Sequence, residues 1–365
     1  MSNASSGISD LTAVPIDLLY DGMVVKEDIY DSGAMLPLIK SGIVLDDARI
    51  RSIRNLNANS DTIYVSKNTF RSLVEKRPPI EITSRRVLED TTGYAAILDK
   101  SISILNETTR NRAAGDDALY SVSAELSKLL EDTSQSEVLT LINALAPADD
   151  YFQRHCVNVG LLNGLVGQWL HLPKTEIDKL VLIGFLHDFG KALMPPQVIN
   201  APRKLTIAEF EVIKMHPVYT YELLSGFPEH IRRAARLHHE KFCGAGYPDQ
   251  LSGDRIPMEA CITAVSDVYD AMVSQRAHNK PHSPFDALAA LRDLKYSELD
   301  AGLVDAFIQN IPSELMGKPV MMSNGTIGVL RTFDPYDIEY PKIEVNGSMI
   351  KSCDYLSCSS MYTDD

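Results

Sequence analysis

Hydrophobic residues are spaced differently in successive parts of this chain, and the changes in spacing mark its segments. In the first 72 residues, short apolar runs such as residues 23–25, 43–45 and 62–65 are separated by turns that contain glycine and aspartate. Short apolar runs between such turns are typical of β-strands. With one short helix predicted over residues 46–56, the pattern indicates a small α+β domain over residues 1–78.

Helical spacing begins after two prolines at positions 78 and 79, which interrupt regular structure. Apolar residues then recur three and four positions apart, the spacing of one helix face, at Leu119, Val122, Leu126, Leu129 and Leu130. We expect a helical linker over residues 79–136. This face either packs on the domain that follows, or forms a homodimer or transmits a signal, and the pattern leaves these alternatives open.

The helical pattern continues over residues 137–315, which we expect to form the main domain. Two helix starts within it carry capping sequences, Thr206 with Glu209 and Ser283 with Asp286. In such a capping box, each side chain accepts a hydrogen bond from a backbone N–H that the first turn leaves unpaired. These sequences therefore predict where two of the helices begin.

Glycine and proline interrupt the helical region over residues 239–257, and a loop of this length in a compact domain is usually functional. Short strands follow over residues 316–347, with a hairpin turn predicted at Asn324-Gly325. Residues 348–365 are polar and acidic and are expected to be a flexible tail. The expected fold class is mainly α, a helical bundle preceded by a small α+β domain and followed by a short β-rich extension.

Composition limits the ligands and compartments that suit the protein. The formal net charge is −14, which disfavours nucleic-acid polymers and membrane surfaces as partners. Five cysteines are scattered without a CxxC pair, which suits a reducing compartment, and the first residues lack the apolar core of a signal peptide. We expect a cytoplasmic protein that holds any anionic ligand with a local basic cluster or with metal.

Seven imidazole and carboxylate side chains lie beside apolar helical runs: His155, His187, Asp188, His216, His238, His239 and Asp267. Seven N/O donors exceed the needs of one ion, so we expect two divalent metal ions that share a bridging carboxylate. The set contains no cysteine, which favours iron or manganese over a structural zinc site. Paired ions of this kind typically hydrolyse phosphoesters. The remaining histidines are expected to be structural, namely His171, His230, His278 and His282.

The order of these residues resembles that of a known superfamily. His155, followed by His187-Asp188 and then by Asp267, resembles the HD phosphohydrolases. The insertion over residues 216–257, with its Gly-Tyr-Pro sequence at positions 246–248, is similar to the HD-GYP branch. The resemblance covers about residues 140–310 and implies a helical HD-domain bundle. The N-terminal segment also resembles the small domain that often precedes HD-GYP modules.

The HD-GYP resemblance implies a phosphodiesterase that hydrolyses cyclic di-GMP to pGpG, and further to GMP, in bacterial second-messenger signalling. Two alternatives stay open. The substrate is instead the mixed 3'3'-cyclic GMP-AMP, or the protein is a catalytically weak receptor or scaffold that acts through its Gly-Tyr-Pro loop. The resemblance also implies that this loop, through Gly246, Tyr247 and Pro248, docks GGDEF (diguanylate cyclase) domains.

The same resemblance assigns roles to individual residues. His155, His187 and Asp267 would hold one metal ion, and Asp188 would bridge it to a second ion held by His216, His238 and His239. Lys191 would be catalytic, contacting a phosphate and protonating the leaving oxygen. The other substrate-binding residues implied are Arg276, Tyr247 and Lys280.

Three residues depart from the family pattern. Tyr151 stands where some members have a glutamate that holds a third metal, so we expect two ions. Cys243 replaces the aspartate that usually opens the Gly-Tyr-Pro loop, which puts the packing of the loop in question. Asn279 replaces a common basic residue, which puts phosphate affinity or base preference in question.

Overall fold

The computed structural model describes residues 11–15, 23–30, 37–54, 62–66, 85–111, 115–143, 151–199, 201, 203, 205–274, 282–322, 326–352 and 358–361. The chain divides into two compact units. The β-rich unit comprises residues 1–82 and 317–362, and the helical unit comprises residues 83–316 and 363–365.

The first part of the β-rich unit is held together by short strand pairings around an apolar centre. Strand β1 (Leu11–Pro15) pairs antiparallel with β2 (Thr62–Ser66), and helix α1 (Asp47–Arg54) lies between them in sequence. Two isolated bridges join Val24 to Val44 and Ile29 to Ile39. The runs predicted as strands supply residues that are fully buried, namely Met23, Val25 and Leu45.

The second part of the β-rich unit is an antiparallel five-stranded sheet with the order β6-β5-β4-β3-β7. Its strands are β3 (Pro319–Met322), β4 (Ile327–Thr332), β5 (Lys342–Val345), β6 (Ser348–Lys351) and β7 (Cys358–Met361). The predicted turn at Asn324-Gly325 lies outside the described residues.

Strands β6 and β7 lie within residues 348–365, for which the sequence predicts a flexible tail. The physical reason for β6 is the turn that precedes it. Asn346 and Gly347 both have left-handed backbone conformations, with φ of 51° and 82°. Two successive residues of this kind form the tight turn that best matches the twist of a hairpin, so β6 folds back on β5.

The helical unit confirms the mainly α fold. Its helices are α2 (Arg85–Asn111), α3 (Asp116–Asp132), α4 (Gln135–Asn143), α5 (Tyr151–Trp169), α6 (Lys174–Leu186), α7 (Pro196–Ile199), α8 (Ile207–Ile213), α9 (His216–Leu223), α10 (Glu229–Arg236), α11 (Met258–Val273), α12 (Pro284–Leu294) and α13 (Ala301–Leu315). Short 3-10 turns span Phe189–Leu193 and Gly253–Arg255. None of the helices in the described part of the chain is both long and apolar enough to cross a membrane.

Helices α5 and α6 form the centre of the helical unit and pack against each other. Fourteen of the nineteen residues of α5 are buried, as expected for a helix that is apolar on most of its sides. Each buried leucine of α5 stabilises the fold by about 1.5–3 kcal/mol relative to an exposed one. This packing fixes two points that matter for the site, the first turn of α5 and the last turn of α6.

The apolar face predicted for the linker is buried inside the helical unit. Leu119, Val122, Leu126 and Leu130 of α3 are all at most 4 % exposed, and α3 packs against both α5 and α6. Packing on the central helices therefore accounts for the spacing of these residues.

Candidate metal centre

The His187-Asp188 pair lies where α6 ends and the 3-10 turn of Phe189–Leu193 begins. Both side chains are fully buried. Gly190 allows the turn to pass close to α9, because a Cβ at this position would lie 2.5 Å from the backbone nitrogen of Thr220. Thr220 also reinforces the contact, since its hydroxyl accepts from the Gly190 N–H (2.8 Å) and donates to the carbonyl oxygen of His187 (3.1 Å).

The carboxylate of Asp188 is the centre of the site, and its two oxygens face different imidazoles. Oδ1 lies 3.1 Å from Nε2 of His216 and 3.8 Å from Nε2 of His238. Oδ2 lies 3.4 Å from Nε2 of His187 and 3.6 Å from Nε2 of His155, and it also contacts the ammonium group of Lys191. Asp188 therefore stands between two groups of potential ligands.

Asp267 of α11 is the second carboxylate of the site. Its Oδ1 lies 3.0 Å from Nε2 of His155 and 4.0 Å from Nε2 of His187. Its Oδ2 lies 3.8 Å from Nδ1 of His239, which is the most exposed of these histidines at 24 %. The structure thus brings all seven side chains singled out in the sequence to one place.

Three of the histidines are oriented by hydrogen bonds to the backbone. The Nδ1 atoms of His187, His216 and His238 lie 2.7, 2.7 and 2.6 Å from the carbonyl oxygens of the residues three positions earlier. A carbonyl oxygen only accepts, so each Nδ1 carries the proton and each Nε2 keeps a free lone pair. This is the usual arrangement of an imidazole that binds metal.

His187 illustrates the consequence most clearly. Its Nε2 is buried and has no hydrogen-bond partner in the structure. A buried polar atom without a partner is costly, so its retention calls for an explanation. A bound cation would satisfy the lone pair of Nε2 and the facing oxygen of Asp188 at once.

The first ligand, His155, is oriented by a carboxylate instead of a carbonyl. Its Nδ1 lies 2.7 Å from Oδ2 of Asp270, one turn after Asp267 on α11. Sequence analysis missed Asp270. The available signal was its spacing, because residues three positions apart lie on the same side of a helix.

The pKa shifts divide the imidazoles into two kinds. Desolvation lowers the pKa of His216, His238 and His239, that of His239 to about 3, so these rings are neutral at pH 7. Burial alone would lower the pKa of His155 as well, but hydrogen bonds to Asp267 and Asp270 outweigh it and raise the pKa to about 9.

The carboxylates are held in their charged form. Burial would raise the pKa of Asp188, but the charges of Lys191 and His187 outweigh this effect and hold the pKa well below its usual range. The pKa of Asp267 is lowered in the same way, since the hydrogen bond and charge of His155 overcome the effect of burial. Two anionic carboxylates among largely neutral imidazoles form an environment that attracts a divalent cation.

The ligand atoms are close enough to hold metal. Three sets each have their ligand atoms within 4.8 Å of one another: Asp188, His216, His238 and His239; His155, His187 and Asp188; and His187, His238 and Asp267. Imidazole and carboxylate donors without thiolate suit a divalent transition metal such as iron or manganese. The donor types, the free lone pairs and the negative charge of the carboxylates all fit metal ligation.

The loop after His239 lies against the site. The ring centroid of Tyr247 is 4.8 Å from that of His239, and Gly246 is required beneath it because a Cβ would lie 2.5 Å from Cα of Glu240. The carboxylate of Glu240 fixes the loop by accepting from the N–H groups of Asp249 (2.6 Å) and Leu251 (2.9 Å). Pro248 follows as a partly buried residue.

Comparison with known proteins agrees with this geometry. Residues 140–303 match the HD domain family model. The chain belongs to the HD domain family. The relatives described next confirm the resemblance to HD-GYP phosphodiesterases within this family.

Three curated relatives share the HD domain. The cyclic di-GMP phosphodiesterase response regulator RpfG of Xanthomonas campestris is 35 % identical, over 49 % of this chain and 49 % of its own length. A cyclic di-GMP phosphodiesterase of Pseudomonas aeruginosa is 29 % identical over 72 % of this chain and 64 % of its own. A 3'3'-cGAMP-specific phosphodiesterase of Vibrio cholerae is 29 % identical over 50 % of this chain and 35 % of its own. The chain thus spans between about a third and two thirds of the length of these relatives.

One solved structure supports the fold. An HDG"Y"P protein from Bdellovibrio bacteriovorus superposes with a TM-score of 0.51, covering 82 % of this chain and 98 % of that chain. The two sequences are 13 % identical, so the likeness concerns the fold of the HD domain alone.

The positions that depart from the family pattern have distinct surroundings in this HD domain. The ring of Tyr151 stacks on that of His155, with centroids 5.5 Å apart and planes 16° apart, where a third-metal ligand was considered. Cys243 is exposed, and its backbone N–H donates to the carbonyl oxygen of Ser297 (2.9 Å). Arg276, Lys280 and Asn279, together with His278, lie outside the described residues.

Proposed function

We propose that the HD domain is a two-metal phosphodiesterase that hydrolyses cyclic di-GMP to the linear dinucleotide pGpG. The observation that carries the proposal is the position of Asp188, whose two oxygens belong to two adjoining sets of metal-ligand atoms. A carboxylate shared in this way suits a bridging ligand. The curated relatives support the substrate class, since RpfG and the Pseudomonas aeruginosa protein are named cyclic di-GMP phosphodiesterases.

In this proposal the ligands are divided as the distances suggest. His155, His187 and Asp267 hold one ion, and His216, His238 and His239 hold the other, with Asp188 between them. When bound, two such ions supply an activated hydroxide and neutralise phosphoryl charge. The hydrogen bonds to backbone carbonyls and to Asp270 keep the imidazoles in the orientation that this requires.

Lys191 contributes positive charge beside the bridging carboxylate. Burial would lower the pKa of Lys191, but the charges of Asp188 and Asp267 outweigh burial and raise the pKa, so Nζ keeps its proton at neutral pH. A protonated amine at this position can contact a phosphate oxygen and supply a proton to the leaving oxygen. Lys191→Ala is therefore expected to lower kcat by about 100-fold or more while the metal content stays at the wild-type level. A variant that also loses its metal would show that Lys191 serves the metal ligands instead.

Tyr247 is assigned to the wall of the substrate pocket because its ring packs on His239. Docking of a GGDEF domain on the Gly-Tyr-Pro loop, phosphate contacts by Arg276 and Lys280, and homodimer formation stay predictions.

The second candidate substrate is 3'3'-cyclic GMP-AMP, which is favoured by the similarity to the Vibrio cholerae enzyme specific for it. The ligand set does not distinguish the two substrates, because the metal centre acts on the phosphodiester and not on the base. An inactive receptor is disfavoured, since all seven donors are present and close together.

The test combines metal analysis with product identification. Protein purified without oxygen is analysed for bound iron and manganese, then incubated with cyclic di-GMP and with 3'3'-cyclic GMP-AMP in parallel. We expect about two ions per chain and a linear dinucleotide product, identified by mass spectrometry. Faster turnover of the mixed substrate would favour the second candidate. Absence of hydrolysis of either substrate at every metal loading would contradict a phosphodiesterase.

A further inference from the structure

A chain of buried hydrogen bonds runs from helix α2 to the ligand His155. The hydroxyl of Tyr94 on α2 bonds to Oδ1 of Asn158 on α5 (2.6 Å). The amide Nδ2 of Asn158 donates to Oδ1 of Asp270 on α11 (2.7 Å), and Oδ2 of Asp270 faces Nδ1 of His155 (2.7 Å). Tyr94 is 9 % exposed, and Asn158 and Asp270 are completely buried. We call this series of side chains the Tyr94 chain.

The direction of each hydrogen bond in the Tyr94 chain is determined by chemistry. The Asp270 carboxylate can only accept, so the Asn158 group facing it is the amide NH2. Oδ1 of Asn158 is then the acceptor of the Tyr94 hydroxyl, which must donate. Asn158 therefore joins a donor on one side to an acceptor on the other and cannot flip without breaking both bonds.

Asp270 acts on His155 and does not belong to the ligand sets of the described residues. Besides Asn158, its Oδ1 accepts from the hydroxyl of Ser274 (3.0 Å), so both oxygens are occupied by protein donors. The carboxylate holds the Nδ1–H of His155, which directs Nε2 toward Asp267 and Asp188. The orientation of the ligand thus depends on where Asp270 is held.

We propose that Tyr94 and Asn158 are positioning residues of the metal centre, and that the placement of α2 sets the metal affinity of the group that contains His155. Asn158 and Asp270 lie within residues 140–303 that match the HD domain, whereas Tyr94 lies outside this span. The metal centre is therefore connected to the helix that enters the domain. A shift of α2 by about 1 Å would break a 2.6 Å hydrogen bond and release Asn158, because hydrogen bonds weaken steeply beyond about 3.2 Å.

The proposal rests on the proposed function only in that the cluster binds metal, so the test measures metal binding by the full-length, metal-free protein. The variants are Tyr94→Phe, Asn158→Ala and the double variant, titrated with Mn²⁺ by calorimetry. The control is Tyr269→Phe. Tyr269 is also fully buried, and its hydroxyl also bonds to an asparagine, Asn143 (3.2 Å), but no hydrogen bond of this pair reaches a ligand.

Changes to residues that orient metal ligands typically lower metal affinity by 10–100-fold. We expect about a tenfold loss for Asn158→Ala and about a threefold to tenfold loss for Tyr94→Phe, which is one residue further away. The double variant should equal Asn158→Ala, because Tyr94 acts through Asn158. The weakened binding step should be the one that His155→Ala removes, and Tyr269→Phe should change affinity by less than about twofold.

The kinetic readout separates positioning from general destabilisation. If Tyr94→Phe only weakens metal binding, saturating Mn²⁺ restores its kcat, whereas a loosened fold would not recover in this way. A Tyr94→Phe affinity equal to that of Tyr269→Phe would overturn the proposal, as would additive losses in the double variant. If Asn158→Ala does not fold, the nearly isosteric Tyr94→Phe still decides the question. Wild-type protein that binds Mn²⁺ but hydrolyses no cyclic dinucleotide would overturn the proposed function and leave this proposal standing.

Discussion

At the scale of single residues, Asp188 is the side chain on which the two ligand groups depend. Its oxygens lie between 3.1 and 3.8 Å from four imidazole nitrogens. Asp188→Ala removes this carboxylate and leaves Lys191 without its buried partner. We expect loss of both metal ions and at least about a 100-fold fall in hydrolysis, measured by elemental analysis and product formation.

The matched control for Asp188 is Asp286→Ala in the same domain. Asp286 accepts from the backbone N–H of Ser283 in the capping box of α12 and has no role in the metal centre. Its loss should cost about 1 kcal/mol of unfolding free energy and leave the metal content unchanged. Wild-type metal content in Asp188→Ala would contradict a shared ligand.

The metal affinity should depend on pH through His155. In the metal-free protein the pKa of His155 is raised from 6.5 to about 9, so the ring is charged at pH 7. Metal binds only the neutral ring, and its binding therefore releases a proton. Mn²⁺ affinity of the group that contains His155 should rise with pH up to about 9, by as much as tenfold per pH unit.

The sign is opposite for the stability of the metal-free protein. The contribution of a group whose pKa is raised on folding is complete below its unfolded value of 6.5 and is lost as pH rises through about 9. Titrations with Mn²⁺ at pH 7, 8 and 9, with urea unfolding at the same values, measure both trends. A metal affinity that stays constant over this range would show that His155 is already neutral.

At the scale of elements, the close contact between the 3-10 turn and α9 is what brings Asp188 to His216. Gly190→Ala places a Cβ 2.5 Å from the backbone nitrogen of Thr220, so the turn or the helix must move. We expect a loss of about 1–3 kcal/mol of unfolding free energy, the usual cost of overpacking, and weaker metal binding.

Gly93→Ala provides the comparison for Gly190. Gly93 is exposed within α2, and a Cβ there would meet Cδ1 of Leu129 at an ordinary 3.9 Å. Alanine is favoured over glycine inside a helix by about 0.5–1 kcal/mol, so this variant should be slightly more stable than wild type. Urea unfolding of both variants tests the contrast, which disappears if the backbone around Gly190 adapts freely.

The sequence predicts those features of the elements that depend on local chemistry. The capping boxes of Thr206 and Ser283 are both present, because each requires only residues within one turn. The ligands follow from motif order and from their places at helix ends. Asp270 and Asn158 could not be recognised in the same way, since Asn158 meets Asp270 across 112 positions of sequence and only the packing of α5 on α11 brings them together.

At the scale of the whole molecule, the helical unit contains every described residue of the metal centre, while the β-rich unit draws on both parts of the chain that flank it. Hydrophobic spacing does not reveal that distant strands belong to one unit, which is why the sequence divides them between residues 1–78 and 316–347. A fragment of residues 83–316 is expected to fold and to bind Mn²⁺ with about the affinity of the full chain, because domains with their own cores fold alone.

Circular dichroism and Mn²⁺ titration of the fragment test this expectation. A matched fragment that ends at residue 303 removes part of α13, including Phe307 and Ile311, which are completely buried. It should therefore be much less stable. An unfolded 83–316 fragment would show that the helical unit depends on the rest of the chain.

The division of the β-rich unit between the two flanking segments has a consequence for synthesis on the ribosome. Translation completes the helical unit at about residue 316, before the strands that finish the β-rich unit have been made. Domains generally fold as units while the chain emerges. The metal centre can therefore assemble first, and the earliest residues of the chain must wait, with their apolar strands unpaired, until the last strands leave the exit tunnel.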